Sequence, residues 1–536
     1  MSLPSTIPLV VQVGFAGSRT LFASSPHPDF SPEDLETQVF DALAISLDAL
    51  PVTLGLSPHH LLSGVSQIAV GADTLFTRAC QKCGVAQRVL LPQHRDEYLL
   101  ATSQHGVPDF TPEQQRAALT LLSSPHIIEE RVVSNARDRT ARFEETNTAI
   151  LHASDVVICL VREAAGGRVG GTEDLIRQAQ SSGKPVARIT VSIVDGRAVL
   201  SPLRPLKEWT NGGDYVLPRA PAELPDVAFA ENLSKGEWPT AASFIAAIKV
   251  PASQQSDKHS GWFKRSAIFI IAFHLAATLL AILAGKLQET IAPILLSAEL
   301  LLLIVGLTAH FRLHHTAHAR VWAVCRLLAE TMRSLREVDL LRGDIAYPLD
   351  LAVPESLFPL LRTCAVLHLR QDRSEKPVAW TDRRATYIER RLTNPQKGQI
   401  SYYKKEREKA ERSLNIATSL FWLSSSLAIV ATVTELLRHF DILPVAMGLL
   451  ADQWGNALAI ILPVAAVGFL SWAAASDLEA RVQTFTEMQA FLDKQRKKLE
   501  AAASEAEFNR LVRETEPRLL GETLNWYWRR SFTGVS

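Results

Sequence analysis

Ser266 to Ala284 reads SAIFIIAFHLAATLLAILA, 19 residues without a single Asp, Glu, Lys or Arg, and this stretch decides the class of the fold. As a helix it is about 28 Å long, close to the ~30 Å hydrocarbon core of a bilayer. Ile291 to Ala309, Ile416 to Thr434 and Ala457 to Ala475 repeat the pattern, and only the first of these three carries a charge, Glu299. A buried helix of a soluble domain is usually shorter and keeps a polar face. All four stretches are therefore expected to be transmembrane helices.

Orientation follows from the basic residues, which favour the cytoplasmic side. Lys258, Lys264 and Arg265 precede the first stretch, and Arg312 and Arg320 follow the second. Lys404, Lys405, Arg407, Lys409 and Arg412 precede the third, and Arg481, Lys494, Arg496, Lys497 and Lys498 follow the fourth. The connections Gly285 to Thr290 and Glu435 to Asn456 are nearly free of them. Two hairpins result, with both termini cytoplasmic. The formal net charge is zero, so charge implies no nucleic-acid partner. Cys80, Cys83, Cys159, Cys325 and Cys364 are scattered and read as reduced thiols with no metal site. The first residues carry no basic and apolar signal that would export the N-terminal domain.

Leu9 to Phe15 is a β-rich run ending in Gly14-Phe15-Ala16-Gly17-Ser18-Arg19, and a helix is expected near Ser31 to Leu47. Val65 to Val70 repeats the arrangement, ending in Gly71-Ala72-Asp73 before a helix over Thr74 to Lys82. Arg88 to Leu91, Asp155 to Val161 and Pro185 to Val191 read as further strands, and Gly170-Gly171-Thr172-Glu173 opens a helix to Ser181. Glycine lets backbone N–H groups approach an anion, so three glycine turns along the carboxyl edge of one parallel sheet predict a phosphate-binding cleft. The bland alternative is that the glycines only permit tight turns and that Arg19 is a solvated charge. Arg142 and Asn147, on a charge-rich helix, are weaker candidates for ligand contact. His94 and Asp96 follow a strand end, but nothing pairs them with a nucleophile.

In their order, these motifs, with Ser154-Asp155 ahead of the third turn, resemble the SLOG superfamily of Rossmann-like domains over roughly residues 8 to 195. That group includes LOG-type nucleotide phosphoribohydrolases, DprA-like proteins and the nucleotide-sensing regions of TRPM channels. The resemblance implies a ligand site formed by Gly14, Gly17, Ser18, Arg19, Gly71, Ala72, Asp73, Gly170, Gly171, Thr172 and Glu173, with a nucleotide or ADP-ribose-like ligand and no cofactor. Arg19 would pair with phosphate, and Glu173 would accept from a ribose hydroxyl. The third turn departs from the Pro-Gly-Gly-x-Gly-Thr-x-x-Glu pattern of LOG enzymes, which argues against N-glycosidic cleavage and leaves the catalytic residues as none.

In the second half, Arg326-Leu327-Leu328-Ala329-Glu330-Thr331 reappears as Arg518-Leu519-Leu520-Gly521-Glu522-Thr523, as expected of a distant duplication or of chance between two helices. Glu389-Arg390-Arg391-Leu392 and the run from Gln399 through Tyr402-Tyr403-Lys404 to Arg412 read as a basic helix entering the bilayer. From about residue 385 to 530 the chain resembles the SLATT family, which pairs transmembrane hairpins with cytosolic helices. Val482, Phe485, Met488 and Leu492 form an apolar stripe, more often packing within a subunit than an oligomer contact. Glu299 and His274 both sit near mid-membrane at depths expected to differ by about 3 Å. A carboxylate there is costly, so both are candidates for a pore or an interface.

The expected fold class is an α/β Rossmann-like N-terminal domain with a parallel sheet, followed by an α-helical membrane domain with four transmembrane helices and long cytosolic helices. The boundaries are a sensor domain over 1–250, a linker over 251–265, a first hairpin over 266–309, a cytosolic helical region over 310–415, a second hairpin over 416–475, and C-terminal helices over 476–536. The two resemblances together imply a ligand-gated effector that senses a nucleotide-derived signal and permeabilises the membrane as a homo-oligomer in antiviral defence. The competing expectation is a membrane-tethered N-glycosidase or NAD-consuming hydrolase using Glu173 as acid or base.

Overall fold

The β-branched run Val10–Gly17 forms β1, and it lies at the centre of a sheet in a computed structural model. The structure describes residues 7–18, 31–56, 60–102, 108–162, 171–194, 197–205, 221–224, 238–285, 291–315, 318–341, 351–374, 378–440 and 445–532. The chain divides into two units, Met1–Ala222 with Asp226–Ala247 and Arg342–Pro377, and Glu223–Pro225 with Ile248–Leu341 and Val378–Ser536.

In the first unit, β1 pairs in parallel with β2 (Leu61–Ser66) on one side and β5 (Val156–Arg162) on the other. With β3 (Ala86–Leu91), β4 (Ile127–Val132), β6 (Val186–Val194) and β7 (Arg197–Leu200) the order is β4-β3-β2-β1-β5-β6-β7. The pairings from β1 through β6 are parallel, whereas β7 and the two-residue β8 (Arg204–Pro205) pair antiparallel with β6. The chain winds outward from β1 to β4 and then returns to start β5 beside β1. That reversal is the topological switch point at which open α/β sheets bind ligands.

Alternate residues serve opposite faces, as a strand's period of two requires. Val11, Val13, Phe15, Ile158 and Leu160 pack with α1 (Pro32–Thr53) and α2 (Ala72–Lys82). Val157, Cys159 and Val161 pack with α5 (Arg139–Ala153) and α6 (Thr172–Ser181). Local signals set the helix starts: Ser31 accepts from the Asp34 N–H ahead of Pro32 at α1. Thr111 and Gln114 form a capping box at α4 (Pro112–Leu122), which follows the short α3 (Arg95–Leu99). β4 and these two helices are absent from the sequence reading. The second strand also ends earlier than expected, at Ser66, so that Gln67 to Val70 leads into Gly71.

Two boundaries move. The stretch 251–265, expected as a linker, is helical throughout, inside α7 (Ala241–Ala284). Residues 342–377, expected within a separate cytosolic helical region, belong to the α/β unit. There α10 (Phe358–Ser374) lays Val366 and Leu369 against Val10, Ala86 and Ile128. Thr363 Oγ1 accepts from the Val10 N–H at 2.9 Å.

The second unit is helical: α7 from Ile248 onward, α8 (Ala292–His315), α9 (His318–Val338), α11 (Trp380–Tyr387), a π-helical segment Ile388–Thr393, α12 (Gln399–His439), α13 (Val445–Ala475), α14 (Leu478–Ala501) and α15 (Glu505–Phe532). Among the described residues four helices are long and apolar enough to cross a membrane, and they coincide with the four stretches read from the sequence, apart from Ile291. No more than 12% of any of their most apolar windows is buried by protein. Apolar surface left so bare calls for lipid around it.

Candidate functional site

The switch point gathers three of the predicted turns on adjacent strands. Gly17 closes β1, and the Ser18 N–H donates to the Leu160 carbonyl of β5 at 3.1 Å. Gly71 caps α2 with φ +95°, a conformation open to glycine and strained for other residues. Ala72 is fully buried directly against Gly17: a Cβ on Gly17 would stand 2.1 Å from the Ala72 Cβ. The turns of β1 and β2 are thus locked together by a missing side chain. Asp73, also buried, accepts the Gly17 N–H at 3.2 Å. That amide is therefore engaged by a carboxylate inside the protein.

The third turn, like the second, opens a helix without a side-chain cap. Gly171, in extended backbone, is the N-cap of α6 and offers no side-chain acceptor to the amides that follow. Orphan N–H groups at a helix start, aided by the helix dipole, favour anions. Glu173 pairs with Arg188 of β6 at 3.2 Å, and Asp174 pairs with Arg177 at 3.1 Å. Arg19 and Gly170 lie outside the described residues.

Gly14 and Asp155 lie away from this edge, whereas Arg142, Asn147, His94 and Asp96 follow or contact the carboxyl ends of β2 and β3. Gly14 sits inside β1, where a Cβ would meet the Ser154 Oγ at 2.2 Å, so its place is one of close packing with the end of α5. Asp155 lies ahead of β5, at the opposite edge, where its carboxylate accepts from the Gln12 N–H at 2.8 Å and pairs with Arg362 of α10. Burial raises its carboxyl above the ordinary range while Arg362 pulls it down. Arg142 donates to Gln93 and to the Ala136 carbonyl, and Asn147 is buried against Gln67 at 3.2 Å. His94 and Asp96 are both exposed, 3.7 Å apart.

The helical unit holds a second concentration of chemistry. The π segment, rather than continuing into a membrane helix as expected, turns Arg390 and Arg391 into the protein. Arg391 grips the fully buried Glu516 of α15 with two N–H···O bonds at 2.9 and 2.7 Å. Tyr387 and Ser334 donate to the same carboxylate at 2.7 and 2.8 Å. Glu337, likewise buried, accepts from Arg336 at 2.7 Å and Arg390 at 2.9 Å.

The repeated hexapeptides lie on α9 and α15, and these helices pack together. Trp322 meets Trp526 edge-on at 4.9 Å, while Ser334 meets Glu516 farther along, so the two helices run antiparallel. Leu327, Leu328, Leu519 and Leu520 are all buried. The Phe485, Met488 and Leu492 stripe is buried within the chain, with Tyr403 5.6 Å from Phe485, and Val482 is half-buried at its end.

Glu299 and His274 are not paired. The His274 ring lies against Gly306, 3.6 Å from where a Cβ would stand. Gly306 is two turns, about 10.5 Å, along α8 from Glu299. The two residues are therefore offset by more than the ~3 Å expected from their distances to the helix ends.

Residues 387–526 match the family model of the SMODS and SLOG-associating 2TM effector domain 1. The match begins at the π segment and takes in α12, α13, α14 and most of α15. No curated protein and no solved structure matches the chain. The family match and the four apolar helices together point to a multi-pass membrane protein with an effector module.

Proposed function

We propose that this protein is a ligand-gated membrane effector. Its α/β unit captures a nucleotide-derived anion, a nucleotide or an ADP-ribose-like derivative, at the carboxyl edge around Gly17, Ser18, Gly71, Gly171 and Thr172. Capture shifts a pre-existing equilibrium of the helical unit toward a form that permeabilises the membrane. The effector works as a homo-oligomer in the inner membrane with both termini cytoplasmic, in defence against viruses. The observation that carries this reading is the pairing, in one chain, of a two-transmembrane effector domain with a sheet whose glycine turns meet at its switch point. The start of α6, which Gly171 leaves without a side-chain cap, is the anion-binding element in this reading. A hydrolase would need Glu173 as acid or base, and its pairing with Arg188 lends that reading no support.

The test uses the full chain reconstituted in liposomes loaded with a fluorescent dye and exposed to a panel of nucleotides and ADP-ribose. The expected result is dye release with at least one of them, lost in Gly171→Pro, while the variant still inserts and melts as wild type does. Leakage indifferent to every nucleotide would remove the sensor role. Release of free base would instead favour the hydrolase.

A further inference from the structure

Within the helical unit lies an open cavity of about 1150 Å³, bordered by α7, α9, the π segment, α12, α13, α14 and α15. Ten Lys or Arg line it against six Asp or Glu. Three of the six carboxylates are already taken: Glu330 by Arg333, Glu337 by Arg336 and Arg390, Glu406 by Arg481. Among the described residues, Lys249, Arg326 and Arg529 have no carboxylate within ion-pair distance. Arg391, 4% exposed and also in the lining, spends two nitrogens on Glu516, and its Nη1 is buried without a partner. A buried, unsatisfied guanidinium nitrogen is expensive unless an acceptor arrives.

The surplus of positive charge is felt by the groups present. The Lys249 ammonium is lowered to about 8, first by burial and then by Arg336 and Arg333. Burial raises the Glu522 carboxyl, while Arg326 and Arg529 pull it down.

The rest of the lining is apolar and aromatic. Ile268, Ile271 and Trp472 belong to the stretches Ser266 to Ala284 and Ala457 to Ala475, and Arg326 lies over the Trp526 ring at 4.2 Å. The volume is enough for a group the size of a lipid headgroup or a nucleotide.

We propose that this cavity binds a phosphate group, presented by an anionic phospholipid or by a soluble phosphate ester, with Arg326, Arg529 and Lys249 as its donors. Arginine's planar fork suits phosphate oxygens. The site is distinct from the sheet edge and does not depend on the function proposed above.

The full chain in phosphatidylcholine nanodiscs provides the test, with tryptophan emission and melting temperature as readouts. In one arm half the lipid is replaced by phosphatidylglycerol; in the other inorganic pyrophosphate is added. A saturable change in either arm is expected, and the arm that responds identifies the source. Arg326→Gln with Arg529→Gln should weaken the response about tenfold or more. Arg510→Gln, which removes an exposed charge outside the cavity, should respond as wild type does. Should the double variant fail to fold, Lys249→Gln takes its place. Silence in both arms, an undiminished response in the cavity variants, or an equal loss in Arg510→Gln would overturn the proposal.

Discussion

Arg391 and Glu516 stand 125 residues apart in the chain and meet as a two-bond ion pair in which the carboxylate is fully buried. Tyr387 and Ser334 complete the carboxylate's bonds. Breaking such a pair leaves one charge uncompensated at a cost of about 3–5 kcal/mol. Glu516→Gln and Arg391→Met should each destabilise the helical unit by that order, measured by denaturation in detergent. Arg391→Met combined with Glu516→Leu should recover much of the loss. A double variant no better than the sum of the singles would deny that the two residues act as a unit.

Gly17 and Ala72 make a second reciprocal pair. Gly17→Ala places a Cβ on top of Ala72 and should cost about 1–3 kcal/mol of stability by overpacking. Ala72→Gly in the same chain should relieve part of it. Thermal melts of the four proteins check this, and simple additivity would mean the contact is not the cause.

Lys184 gives the α/β unit a pH dependence of definite sign. Its ammonium is lowered from 10.5 to about 8, mainly by burial and then by Arg362. From about pH 8 to 10.5 the unfolded chain holds a proton that the folded chain has released, so stability rises with pH across that window. Lys184→Met should flatten the rise. Chemical denaturation at several pH values would expose an unchanged slope, and with it an error in the assignment.

For the first hairpin, the register predicts that Glu299→Gln and His274→Ala have independent effects on stability. A double-mutant cycle should return a coupling below about 0.5 kcal/mol. Ion flux through liposomes carrying Glu299→Gln tests the separate idea that this carboxylate lines a path. Unchanged conductance and selectivity would discard it.

The four apolar stretches were legible because length and lack of charge are read directly along the chain. The central strands were legible for a similar reason: β1, β5 and β6 are short apolar runs bounded by turn residues. β4 was not, since Ile127-Ile128-Glu129-Glu130-Arg131-Val132 hides its charges in pairs, Arg88 with Glu129 and Arg95 with Glu130, that no local pattern reveals. Gly17, Gly71 and Gly171 close or follow strands of one parallel sheet as expected, whereas Gly14 lies inside β1; the tie from Asp73 to the Gly17 N–H depends on neighbours 56 residues apart. The largest misreading concerned Arg390 and Arg391. Next to a membrane helix, basic residues usually serve as anchors, and only the π segment shows that these two point into buried carboxylates.

That α10 completes the first sheet has a consequence for biosynthesis. The patch formed by Val10, Ala86 and Ile128 stays uncovered until the ribosome has passed residue 374, by which time both helices of the first hairpin have already emerged. A gene truncated at residue 250 would therefore yield a protein with a greasy wound on its sheet, prone to clump, and splicing 358–374 back onto it should heal the defect.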